Sequence, residues 1–147
     1  MNNLEKQLGS FSPETWKTDQ VIILDWMDGP RYGVCRLEKP SCEFVFDCVY
    51  ESNDGEGLET RFFGLRELPT GAVQKLIMAL SRLGTPTGTI WVPRWSFATE
   101  QEKEDAEATV DQILSLSSRS TLAVQTDDFR SFLRCMTIPL HPERLSA

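Results

Sequence analysis

The apolar residues of this chain recur first at the spacing of strands and then at the spacing of helices. From Val21 to Leu24 four aliphatic residues follow one another. Both faces of an extended segment are then apolar, which predicts a central strand covered on each side. Asp28-Gly29-Pro30-Arg31 supplies turn chemistry, and Tyr32 to Glu38 returns as the second strand of a hairpin. Lys39-Pro40-Ser41 turns the chain again. Residues 42 to 50 then alternate, with Cys42, Phe44, Phe46, Cys48 and Tyr50 on one face and Glu43 and Asp47 on the other. The alternation predicts a half-buried strand whose second face meets water. An acidic loop, Glu51 to Gly57, leads through Asn53-Asp54-Gly55 to a fourth strand, Leu58 to Leu65, in which Phe62 and Phe63 place one ring on each face.

After Pro69 the spacing becomes helical. Val73, Leu76, Ile77, Leu80 and Leu83 mark one buried stripe, with Thr70 as N-cap and Gly84 and Pro86 as the stop. Thr89 to Val92 reads as a short strand ended by Pro93. Thr99 and Glu102 form a capping-box pattern ahead of Ala106, Val110, Ile113 and Leu114, which predicts a second helix of about 18 residues. Ser120 to Gln125 reads as a last strand, and Asp127-Asp128 opens a short helical turn through Phe129, Phe132 and Leu133. Residues 1–19 form a polar lead-in, where Ser12-Pro13-Glu14 can open one turn, and the tail after Pro139 runs over the surface. The order implies a single α+β domain over residues 1–147, a mainly antiparallel sheet of about five to six strands packed by two helices.

Length and composition support one domain and little else. A chain of 147 residues with 40% hydrophobic and 25% charged positions can bury enough surface to fold without a disulfide or a metal. The formal charge of −7 opposes generic binding to nucleic acid or to an anionic membrane, both of which require clustered positive charge. That charge is concentrated. Residues 99–111 hold six acids and one lysine, and residues 51–59 hold four acids and no base. The remainder is close to neutral, which leaves two anionic patches that keep the protein soluble or meet a basic partner. The first residues show no basic region followed by an apolar run, and no aliphatic run approaches the length of a membrane span, so a cytoplasmic location is expected. Cysteines at positions 35, 42, 48 and 135 form no CxxC pair and stand beside a single histidine, His141, so free thiols and no zinc site are expected.

Candidate chemistry is sparse. Gly55-Glu56-Gly57 joins two strands and has Thr60 where a third glycine belongs, so it is no dinucleotide fingerprint. Gly84 to Gly88 follows a helix and precedes a strand, the reverse of a phosphate loop. A calcium loop centred on Asp54-Gly55 would need ligands where Tyr50 and Arg61 stand, which leaves a looser set of Glu51, Asp54 and Glu56. No local motif links a cysteine to His141 as a thiol–imidazole pair. Glu43 and Asp47 lie roughly 13 Å apart along their strand, too far to share a proton. Asp25, in an apolar strand, needs a partner or a cleft. Pairing across the turn sets it opposite Arg36, and Asp28 begins that turn. The segment WVPRWSF places Trp91, Trp95 and Phe97 around Pro93 and Arg94. These residue types either close one end of the core or present a contact surface.

No catalytic residue, metal ligand or cofactor is expected. The sequence is read as a non-enzymatic protein-binding or regulatory module, for example an acidic inhibitor or immunity-type protein that masks a basic surface by electrostatic steering. Its partner-binding residues would be Trp91, Arg94, Trp95, Phe97, Glu104 and Glu107. One alternative is a small-ligand-binding protein or hydrolytic enzyme with a pocket near Asp25 and Asp28, lined by Trp26, Phe44, Phe46 and Phe62. Another is a structural subunit whose strand pairs with a second copy of the chain.

Overall fold

A computed structural model describes residues 17–26, 30–39, 41–53, 59–84, 90–118 and 122–125. Four long strands form an antiparallel meander: β1 (Lys17–Trp26), β2 (Pro30–Lys39), β3 (Cys42–Asn53) and β4 (Glu59–Glu67). Helix α1 (Ala72–Ala79) follows. The chain then sets the two-residue β5 (Ile90–Trp91) parallel to β1 at one edge. Helix α2 (Glu100–Leu114) leads back to β6 (Leu122–Gln125), antiparallel to β4 at the other edge. The strand order is β5-β1-β2-β3-β4-β6. The expected five to six strands are therefore four long antiparallel ones, flanked by two short segments of which one is parallel. Among the described residues no helix is long and apolar enough to cross a membrane.

Both helices pack on the sheet face that carries Ile22, Val34 and Val45. α1 contributes Val73, Leu76 and Leu80, and α2 contributes Ala106, Val110, Ile113 and Leu114. The opposite face is buried as well, through Val21, Ile23, Cys35, Leu37, Phe44, Phe46, Phe63 and Leu65. On that face the rings of Phe46 and Phe63 meet edge to face with centroids 6.3 Å apart. The continuous apolar run in β1 thus does cover both sides. β3 keeps its alternation, with Phe44 and Phe46 on one face and Glu43 and Val45 on the other, but it is not half-buried, because the second face looks onto the helices rather than onto water. Val45 joins the helical core, and Glu43 is only 6% exposed.

Glu43 is buried because its carboxylate caps α1. One oxygen accepts from the Gly71 N–H at 2.6 Å and the other from the Val73 N–H at 2.8 Å. The first N–H groups of a helix have no partner within it, and a negative group there also complements the helix dipole. Thr70 does not perform this role. It is exposed, and the capping position is Gly71, whose φ of 93° lies in the left-handed region and whose residue offers no capping side chain. Nothing lies within 4 Å of where a Cβ at residue 71 would sit. Gly71→Ala should therefore cost only the backbone term, about 1–2 kcal/mol, whereas Thr70→Ala should stay within about 0.5 kcal/mol. Denaturant melts of the two variants check this. Equal effects would return the cap to Thr70.

The β1–β2 register also differs from the expected pairing. Trp26 pairs with Pro30 rather than across a turn centred on Pro30 and Arg31, and irregularities on either side of Asp25 and between Thr18 and Gln20 shift the ladder. Asp25 consequently faces Tyr32, while Arg36 lies opposite Gln20 and donates from Nε to Asp19 at 2.7 Å. The ion pair of Arg36 exists, but with a different aspartate.

Candidate binding surface

The segment that joins α1 to α2 folds back on itself. A 3₁₀ turn over Ser81–Leu83 carries Leu83 into the core and ends at Gly84. The Arg94 N–H donates to the Leu83 carbonyl at 2.6 Å, which ties the end of this turn to the residues that follow β5. A second 3₁₀ turn, Trp95–Phe97, then delivers the chain to α2. There the Thr99 hydroxyl accepts from the Glu102 N–H at 3.2 Å, so the capping residue read from the sequence is the one used.

This geometry separates the residues of WVPRWSF. Trp91 is 2% exposed and belongs to the core, opposite Ile22 in the β1–β5 ladder. Trp95 is half-buried and packs against the same core. Those two rings close the end of the fold. Phe97 does the reverse, with 78% of its surface in solvent. Arg94 is half-buried and, with Arg82, Leu83, Gly84 and Phe97, lines a cleft of about 190 Å³. Neither Arg82 nor Gly84 stands out in the sequence. Arg82 reads as an exposed residue at a helix end and Gly84 as a helix stop, and only the Leu83–Arg94 bond brings them to Phe97.

α2 continues the surface from Phe97. Glu100, Glu104, Glu107 and Asp111 are all exposed and fall at helical spacing on one flank, beside the buried stripe of Ala106, Val110, Ile113 and Leu114. Glu100 and Glu102 occupy the first turn, where the dipole favours acids. Glu107 and Asp111 lie beyond that turn, and like charges four residues apart weaken a helix slightly. Asp111 also lies near the sheet. The Tyr32 hydroxyl is pushed above its ordinary pKa by burial, with Arg66 opposing and Asp47 and Asp111 adding to the rise.

The remaining candidates are not assembled in the same way. Asp25 is exposed, so the requirement of a buried carboxylate for a partner does not apply to it. Asp28 lies outside the described residues, as do the side chains of Trp26 and Phe62, the loop residues Asp54 and Glu56, and Cys135 and His141. Phe44 and Phe46 are fully buried and pack in the core. Cys35, Cys42 and Cys48 are free thiols. Burial raises Cys35 well above the ordinary thiol range, with Cys42 and Asp19 adding to it. Cys42 is pushed up to about 12 by burial, then by Glu67 and Glu43. Both are therefore protonated at neutral pH and are poor nucleophiles there. Among the described residues no group of three or more His, Cys, Asp or Glu side chains is placed to hold a metal ion. Comparison with protein-family models, with curated proteins and with solved structures finds no match.

Proposed function

We propose that this chain is a non-enzymatic protein-binding module that meets a basic protein partner through the exposed flank of α2, with Phe97 as the apolar anchor. The observation that carries this reading is the juxtaposition of a ring 78% exposed with a one-sign stripe that extends past the first helical turn. Neither feature serves the fold. An exposed ring gains little from burial, and Glu107 with Asp111 gains little from the dipole. An aromatic anchor beside a charged rim is the usual anatomy of a recognition surface. An inhibitor of the immunity type, covering a basic active site, is the concrete form, and free thiols suit a cytoplasmic setting. A ligand or hydrolytic site near Asp25 has no comparable support, since that carboxylate stands in solvent.

The combined variant Glu104→Lys, Glu107→Lys is expected to change stability by less than about 1 kcal/mol, because exposed charges contribute little. Its association rate with a partner captured by the wild-type chain should fall about tenfold or more at low ionic strength, and the difference should narrow as salt is added. Kinetics at two salt concentrations give the answer. Equal rates for both forms would remove α2 from the interface.

A further inference from the structure

The two edges of the sheet are guarded to different degrees. Charged side chains, proline and bulges keep an edge strand from pairing with another chain, and the edge formed by β1 and β5 has all three. β5 covers only Val21 and Ile22 of β1, and the rest of β1 carries Lys17, Asp19 and Asp25 and departs from a regular ladder on either side of Asp25. Pro93 follows two residues after β5. The β6 edge has none of these devices. β6 pairs with β4 through four successive residues without a register shift. Residues 120–126, Ser-Thr-Leu-Ala-Val-Gln-Thr, contain no charge, glycine or proline. Ahead of the strand, Ser118 is also fixed beside β4, its N–H donating to the Glu67 carbonyl at 2.8 Å and its Oγ accepting from the Glu67 N–H at 3.2 Å. β6 is the last strand of the sheet, so among the described residues nothing pairs with its outer side.

Symmetry and charge select the occupant. Directly opposite residues of an antiparallel pair point to the same side of the sheet, and successive residues alternate. Two copies related by a two-fold axis through the sheet can therefore pair only about a residue that meets itself. The interior residues of β6 are Ala123 and Val124. A pairing centred on Val124 and continued along the chain would set Arg119 against Phe129 and Asp127 against Thr121. Centred on Ala123, it sets Arg119 against Asp127 of the other copy, since each is four positions from Ala123, and symmetry repeats that pair. Opposite charges face to face across strands are favourable, and like charges are not. We propose that β6 is a homodimer edge, pairing antiparallel with β6 of a second copy about Ala123, so that the two sheets become one and Arg119 of each chain meets Asp127 of the other. Two-fold closure uses up both β6 edges, and the guarded β5 edges prevent further growth. This interface goes beyond the acidic surface of α2 and uses none of its residues.

Sedimentation velocity of the full chain over a concentration series reads the equilibrium. The wild type is expected to pass from monomer to dimer as concentration rises. Arg119→Glu and Asp127→Arg each set like charges opposite one another at both ends of the pair, and each should weaken the dimer about tenfold or more. An equimolar mixture of the two variants should recover it, because the chain with acids at both positions then faces the chain with arginines at both. Recovery on mixing also shows that both variants fold. Independently, Ala123→Cys should give a disulfide-linked dimer with diamide that the wild type does not give, since the Cβ atoms of directly opposite residues lie roughly 5 Å apart. Glu104→Lys with Glu107→Lys should dimerise as the wild type does, so this interface and the α2 surface fail separately. A wild type that stays monomeric throughout the series would overturn the proposal and leave the edge to an extended segment of a different protein. Dimerisation indifferent to both charge variants, or no linked dimer from Ala123→Cys, would overturn the pairing about Ala123.

Discussion

Glu43→Ala is expected to destabilise the protein by about 2–5 kcal/mol, because it leaves two backbone donors at the start of α1 without an acceptor and each stranded group costs about 1–3 kcal/mol. The carboxylate accepts from Gly71 at 2.6 Å and from Val73 at 2.8 Å, and the Val73 bond lies fully inside the protein, where water does not replace it. The backbone carbonyl of Glu43 also accepts from the Leu68 N–H at 2.9 Å, so one residue of β3 holds both the chain leaving β4 and the helix that follows. Glu43→Gln keeps the shape and one acceptor oxygen but turns an NH₂ toward a backbone N–H, so an intermediate loss is expected. Chemical denaturation of the three proteins orders them. Alanine as stable as glutamate would mean that the start of α1 is satisfied by other means.

Leu76→Ala is expected to cost about 2–5 kcal/mol, the range for a leucine removed from a packed core. Leu76 is fully buried among Val73, Leu80 and the residues of α2, at the centre of the layer between the helices and the sheet. Leu80→Ala should behave similarly. Gln74 and Lys75, both exposed on the same helix, should tolerate alanine within about 0.5 kcal/mol. The contrast along one helix is the measurement, since equal losses at all four positions would place the buried face elsewhere.

What could be read from the sequence is what depends on near neighbours. Val21, Ile22 and Ile23 are an uninterrupted apolar run and are buried on both faces of β1. The stripe of Leu76, Leu80 and Leu83 and the Thr99 cap of α2 also follow from spacings of a few residues. What could not be read depends on partners far along the chain. At an alternating strand position Glu43 looks like a solvated residue, and nothing local indicates that the amides it caps arrive from residues 71 and 73. The pairing of Asp25 was set by irregularities that shift a ladder without changing composition. Arg82, Gly84 and Arg94 become a cleft only through one backbone hydrogen bond across β5, and no periodicity encodes that.

The short segments that flank the meander have a kinetic meaning. Each hairpin of β1 to β4 closes a short loop, whereas Val21 finds Ile90 and Phe63 finds Val124 across roughly 60 to 70 residues, a larger entropic cost. The meander is therefore able to form first, with the backbones of β1 and β4 open to pairing by any other chain until the residues from 90 to 125 dock. Such open edges are where folding intermediates aggregate. During that interval the net charge of −7 keeps neighbouring chains apart by repulsion. The acids of α2, part of that charge, thus oppose self-association of the unfinished protein.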